Sequence, residues 1–294
     1  MNFLIFLLVY PIIWLLSILP MRILYFLSDI LYFFLYYIIG YRKKVVRTNL
    51  QLSFPKKTPQ ERLEIEKKAF HHFIDIFMEI IKSFTVSKKE ISKRFVFKNT
   101  EVINDLYKKN KSAILMAGHY ANWEWAALYI PNVINHDTYA AFKVIKNKYF
   151  DKKVKQSRNK FGAIFVATKQ FSSLMEQHSK SNQVAIYGLL SDQSPKLSKT
   201  HYWGTFMGVK VPMQTGPEML AKKFDLPIIY LETKRVKRGY YESKISLLVE
   251  KPREYSDYQI TDLFTKKLET QINKHPEFYF WTHKRFKHKD SAPQ

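Results

Sequence analysis

Two apolar runs open the chain. Asn2 to Leu19 carries no charged residue, and as a helix such a stretch rises roughly 27 Å, close to the ~30 Å hydrocarbon thickness of a bilayer. Pro11 lies inside it, a kink that membrane helices tolerate. After Pro20, Met21 and Arg22 comes a second run, Ile23 to Tyr41, broken by Asp29 and rich in Tyr and Phe, which favour the membrane interface. The pattern predicts a spanning or re-entrant anchor followed by an interfacial helix over residues 1–41, with the domain proper over 42–294. Arg22, Arg42, Lys43, Lys44 and Arg47 all follow the first run. By the positive-inside rule they put the rest of the chain in the cytoplasm, and each adds ~1 kcal/mol of attraction to an anionic leaflet. No basic segment precedes the run and no small-residue cleavage site follows it, which argues against a cleaved leader.

Beyond the anchor the period changes. Thr58 to Phe84 repeats apolar residues at helical spacing, through Leu63, Ile65, Ala69, Phe73, Ile76, Phe77 and Ile80, and predicts one long helix. His71 and His72 sit on it without a carboxylate at ligand spacing, and read as surface or core histidines. Short apolar runs at Ser112–Ala117, Ala163–Ala167, Val184–Leu190 and Pro227–Leu231 then alternate with helical or polar stretches. Lys244–Val249 reads as a further strand, hairpin-paired through Lys237-Arg238-Gly239, and Asp262–Lys274 as a helix. Strands alternating with helices predict an α/β fold, a mixed β-sheet covered by helices on both faces.

Composition narrows the chemistry. The 294 residues contain no cysteine, which removes disulfides, thiolate nucleophiles and zinc–thiolate sites together. The formal net charge is +23, which suits an anionic bilayer, an acidic carrier protein, a phosphorylated substrate or a nucleic acid. The basic residues are spread along the chain, and no helix-turn-helix, zinc-finger or RNA-binding pattern accompanies them. A membrane-tethered nucleic-acid binder therefore rests on charge alone. Phosphate-loop, zincin and dinucleotide fingerprints are also missing.

One polar cluster stands out. Gly118-His119-Tyr120-Ala121-Asn122-Trp123-Glu124 follows the first buried strand, and ligands of open α/β sheets sit at the carboxyl ends of strands. Five positions on a regular helix turn through about 500°, so His119 and Glu124 meet only across a turn and a helix start. Gly118 allows the turn, Asn122 serves as N-cap, and the helix start would aim free N–H groups at an oxyanion. Neutral His119 then takes the proton of an attacking hydroxyl while Glu124 holds its other ring nitrogen. The oxygen attacks a thioester carbonyl, and no acyl-enzyme is needed.

This cluster resembles the His-x4-Asp/Glu hallmark of the lysophospholipid acyltransferase superfamily. More narrowly it resembles the lipid A biosynthesis late acyltransferases (lauroyl/myristoyl type), which typically carry Gly-His-Phe-Gly-Asn-Trp-Glu. The likeness extends through Arg47-Thr48-Asn49-Leu50, Phe54-Pro55, Phe142-Lys143, Asn147, Arg158 with Phe161-Gly162, and Ser191-Asp192-Gln193. It continues through Gly208 to Pro212, Gly216 to Lys222, and the closing Pro276 to Phe286 segment. The resemblance implies a glycerophosphate-acyltransferase-like fold, with His119 and Glu124 catalytic and no metal or organic cofactor. It implies an acyl thioester donor, on acyl carrier protein or coenzyme A, and a lipid A precursor as acceptor at the inner membrane. Tyr120, Asn122, Trp123, Lys143, Arg158, Asp192 and Gln193 become substrate-binding candidates, Arg158 for a phosphate or carboxylate and Asp192 for a sugar hydroxyl or a basic partner. Lys143 stands where the family usually has Arg, and Tyr120-Ala121 where it has Phe-Gly. An acyltransferase for another amphiphile, an aminolipid, glycolipid or lysophospholipid, keeps the same chemistry.

Overall fold

Residues 2–292 are described in a computed structural model; the outer limits of the two expected regions, residues 1 and 294, lie outside them. The apolar start forms α1 (Asn2–Ile18) and α2 (Met21–Phe33), and α2 runs on through a π-helical turn, Phe34–Ile39. Together Met21–Ile39 makes 19 helical residues of mean hydropathy 1.5. By length and composition this second run, rather than the first, is the one long and apolar enough to cross a membrane. Gly40 ends it at φ +67°, and α3 (Lys43–Ser53) follows.

The long expected helix is α4 (Pro59–Lys82), opened by a capping box in which Thr58 and Glu61 exchange hydrogen bonds. After it come α5 (Lys88–Arg94), β1 (Phe95–Lys98), α6 (Glu101–Lys108), β2 (Ala113–Ala117) and α7 (Trp123–Tyr129). The middle of the chain continues with β3 (Asp137–Phe142), α8 (Lys148–Asn159), β4 (Ile164–Ala167), α9 (Phe171–Lys180) and β5 (Ala185–Leu190). The last part holds β6 (Trp203–Phe206), β7 (Val209–Pro212), α10 (Gly216–Phe224), β8 (Ile228–Lys237), β9 (Tyr240–Val249) and α11 (Gln259–Lys274).

Seven strands form one sheet in the order β1-β9-β8-β2-β5-β3-β4. Within this sheet, among the described residues, β8 and β9 are antiparallel neighbours and the other five pairings are parallel. This is the expected mixed α/β sheet covered by helices. β2 lies at its centre, and all five of its residues are buried, as both faces of a parallel sheet require. The β8–β9 hairpin turns at Arg238-Gly239 as expected. β1, β3 and the separate β6–β7 hairpin were not expected; they are short, and charged or small residues interrupt their apolar pattern.

α2 lies antiparallel along α4 through a ladder of polar contacts. Tyr36 donates to Glu66 (2.9 Å), Ser28 to Asp75 (2.8 Å) and Tyr25 to Glu79 (2.7 Å). Asp29 accepts from Arg238 of the hairpin tip at 2.6 Å. A Cβ on Gly239 would sit 2.0 Å from the Tyr25 hydroxyl oxygen, so only glycine lets the hairpin meet α2 here.

Candidate active site

β2 and β5 are parallel neighbours with Ala117 opposite Leu190. The segments leaving them therefore emerge side by side at the carboxyl edge of the sheet, Gly118-His119 from one and Ser191-Asp192 from the other. The Ser191 N–H donates to the Ala117 carbonyl at 3.1 Å. Asp192 is buried and receives two hydrogen bonds on one oxygen, from the His119 backbone N–H at 3.0 Å and from His119 Nδ1 at 2.7 Å. Among the described residues, His119 Nε2 has no hydrogen-bond partner. Burial pulls the imidazole pKa down, but the Asp192 carboxylate, with Glu124 behind it, outweighs burial, and the pKa lies above the ordinary histidine value. Burial likewise pushes Asp192 up, yet the imidazole and the backbone N–H hold it below the usual carboxylate range.

The expected partnership of His119 with Glu124 is therefore corrected: the ring nitrogen is held by Asp192. Glu124 does start the next helix as expected, in the first turn of α7, but its carboxylate is committed elsewhere. Arg158 Nε donates to one of its oxygens at 2.9 Å and Nη2 to the other at 2.6 Å. This bidentate fork is a strong, directional pairing. Its reach comes from α8, which brings Arg158 across the mouth of the site.

Asn122 caps α7 as expected, its Oδ1 accepting from the Trp125 N–H at 2.8 Å. It is fully buried, and its amide donates to Glu79 at 2.6 Å, so it anchors the turn and does not face a substrate. Tyr120 is corrected in the same way. It is buried, its hydroxyl donates to the His275 carbonyl at 2.8 Å, and it pairs with Tyr279 through a single β-bridge. Gly118 serves close packing: an added Cβ would lie 2.6 Å from Leu268. The left-handed residue of the turn is Ala121, at φ +51°, where a side chain costs roughly 1–2 kcal/mol. The N–H groups of His119, Tyr120, Ala121 and Trp125 are all engaged within the protein, so these four do not supply the expected oxyanion donors.

Trp123 packs edge-on to His119, with ring centroids 5.2 Å apart. Phe280, from the closing segment, lies 5.3 Å from Trp123 and 6.0 Å from His119, while its N–H donates to the His119 carbonyl. A cavity of about 800 Å³ opens in front of this wall, within the size range of small-molecule sites. Its walls are mostly apolar, with Leu115, Ile130, Phe142, Phe165 and Ile186 among them, and small residues such as Ala126, Ala140 and Gly188 leave the space open. His119, Trp123, Glu124, Lys143, Arg158 and Gln193 all reach it; Asp192 stands behind His119.

Glu79 of α4, which sequence reasoning missed, lies under the turn. It accepts from Tyr25, Tyr241 and Asn122 at 2.7, 2.8 and 2.6 Å, and burial pushes its carboxyl up to about 7. Its signal was visible: a lone carboxylate inside the apolar stretch Ile76 to Ile81. His283 was also missed as a neighbour of the site. Burial, reinforced by Arg285 and His119, brings it down to about 4, so it stays neutral and accepts from the Ser194 N–H.

No curated protein matches the chain. A family described as bacterial lipid A biosynthesis acyltransferase matches residues 2–288. That match spans nearly the whole sequence, including the His119 turn, the Asp192 turn and the closing aromatic segment. The chain belongs to the bacterial lipid A biosynthesis acyltransferase family.

Proposed function

We propose that this acyltransferase moves a fatty acyl chain from a thioester, carried by acyl carrier protein, to a hydroxyl of a lipid A precursor at the cytoplasmic leaflet of the inner membrane. The observation that carries the reading is the His119–Asp192 pair, which leaves Nε2 without a partner among the described residues, at the edge of a cavity of about 800 Å³ with mostly apolar walls. Neutral His119 accepts the proton of the acceptor hydroxyl on Nε2 as the oxygen bonds to the thioester carbonyl carbon. Asp192 fixes the Nδ1–H tautomer and balances the imidazolium charge. The tetrahedral intermediate then collapses, the carbon–sulfur bond breaks, and the imidazolium returns the proton to the leaving thiolate. No residue is acylated, in keeping with a chain that has no cysteine.

Glu124 acts through Arg158. Two guanidinium nitrogens hold the carboxylate, while Nη1 has no partner among the described residues and is available to an anionic oxygen of donor or acceptor. Lys143 adds a second cation at the mouth, without the bidentate geometry of arginine. The +23 charge steers an acidic carrier and an anionic lipid to the same face.

The test is mass spectrometry of lipid A from cells with the gene, without it, and with His119→Ala in its place. One acyl chain should be missing without the gene, and His119→Ala should fail to restore it. Unchanged lipid A with one other lipid class altered would move the acceptor to that lipid. Full restoration by His119→Ala would remove His119 from the chemistry.

A further inference from the structure

We infer that the two apolar N-terminal helices do not cross the bilayer but lie flat in one leaflet, as a membrane-embedded platform fixed to the catalytic domain. A helix that leaves the domain to enter a membrane touches it at one end only. α1 is held at both ends. At its start, Asn147 of α8 donates to the Asn2 carbonyl at 2.8 Å, and Phe3 and Phe6 pack on Tyr149. At its end, Lys82 donates to the Leu19 carbonyl at 3.0 Å and Thr85 donates to the Ser17 carbonyl. The 17 residues of α1 span about 25 Å, and that length lies along the domain from α8 to the end of α4.

α2 is held as firmly. Its contacts with α4 run in antiparallel order, from Lys82 beside Leu19, through Glu79 with Tyr25 and Asp75 with Ser28, to Glu66 with Tyr36. The corner between the helices is thus bound to the domain too, which excludes a re-entrant hairpin whose tip dips into the membrane.

The opposite faces are bare. Leu4, Leu8, Ile12 and Leu15 follow one another on one face of α1, each at least 59% exposed, and Phe26, Ile30, Phe33 and Tyr37, each at least 41% exposed, line one face of α2 and its π-helical turn. Their occupant is the hydrocarbon of one anionic leaflet, because the rim carries the matching groups. Lys153 sits over the Tyr10 ring, Lys148 over Tyr149 and Arg42 over Tyr41, at 5.3, 5.3 and 5.9 Å. Basic and aromatic side chains flanking an apolar face are what an in-plane helix presents to headgroups. The apolar surface is also continuous with the site: Tyr41 stacks on Phe73, Phe73 meets Phe280, and Phe280 meets His119. An amphiphile in that leaflet has apolar contact all the way to the general base.

This seating stands apart from the reaction, since its test reads depth and not turnover. The chain has no cysteine, so single nitroxide labels can be attached to the full-length protein at Leu4→Cys, Leu8→Cys, Ile12→Cys and Leu15→Cys. In vesicles of phosphatidylglycerol and phosphatidylethanolamine, collision with oxygen and with a water-soluble nickel chelate gives the depth of each label. The four labels should share one shallow depth. Depth changing steadily along the series, by about 6 Å for every four residues, would show a crossing or re-entrant helix and overturn the inference. Labels all in water would overturn it equally.

Discussion

Two buried carboxylates flank the same catalytic turn and behave in opposite ways. Asp192, above the turn, is held ionised; Glu79, beneath it, is pushed up to about 7. Counting hydrogen bonds would put them the other way round, because among the described residues Glu79 has three side-chain donors and Asp192 only His119. The difference lies in the donors. Tyr25, Tyr241 and Asn122 are neutral, and burial together with the nearby Asp75 charge outweighs them. His119 becomes a cation, and its Coulomb attraction offsets the desolvation of Asp192. One carboxylate is thereby suited to stabilising a charge that appears during a reaction, and the other to holding a shape.

The sharpest way to break this contrast is Asp192→Asn. It keeps the shape but loses the charge and the tautomer control, and kcat should fall by roughly 10² to 10⁴-fold. Removing the negative partner lowers the His119 pKa, so the acid limb of the residual kcat/KM profile should move to lower pH. An unshifted limb would return the orienting role to Glu124.

Asn122→Ala attacks the other side. It removes the cap of α7 and leaves Glu79 with one donor fewer, which should cost about 2–3 kcal/mol in denaturant unfolding. A loss below ~0.5 kcal/mol would mean that Asn122 does not hold the turn.

Glu79→Gln sharpens the electrostatic half of the comparison. The folded state keeps a proton on Glu79 up to about pH 7, while an ordinary carboxyl releases it near 4.5. The folded chain therefore binds more protons than the unfolded one in this window, and stability falls as pH rises through it. Glu79→Gln should flatten that slope, measured by unfolding at a series of pH values between 4.5 and 7.5. The smallest effect expected is from Ala121→Gly. It relieves the left-handed strain at φ +51° but adds unfolded-state freedom, for a net gain below about 1 kcal/mol.

Much of the fold was legible in the chain. The helix at Thr58 to Phe84 announced itself by its apolar period, and the buried strands by short apolar runs. β1 and β3 were not legible, since Phe95–Lys98 and Asp137–Phe142 take their strand form from neighbours that are distant in sequence. At the site, the turn was readable from Gly118 to Glu124, and with it the cap at Asn122 and the place of Glu124 on the next helix. The wrong inference was that nearness in sequence makes Glu124 the partner of His119.

The alternation of strands and helices, the largely apolar character of the first 39 residues, and the histidine at a strand end follow from local period and local turn chemistry, and so were set along the chain itself. Tertiary structure alone decided which carboxylate meets His119. The parallel pairing of β2 with β5 sets Ala117 beside Leu190 and so carries Asp192 to a residue 73 positions away. It also decided that Glu124 is drawn off to Arg158, and that both apolar helices lie against α4, because an ion pair or a docked helix depends on what the whole chain places opposite it.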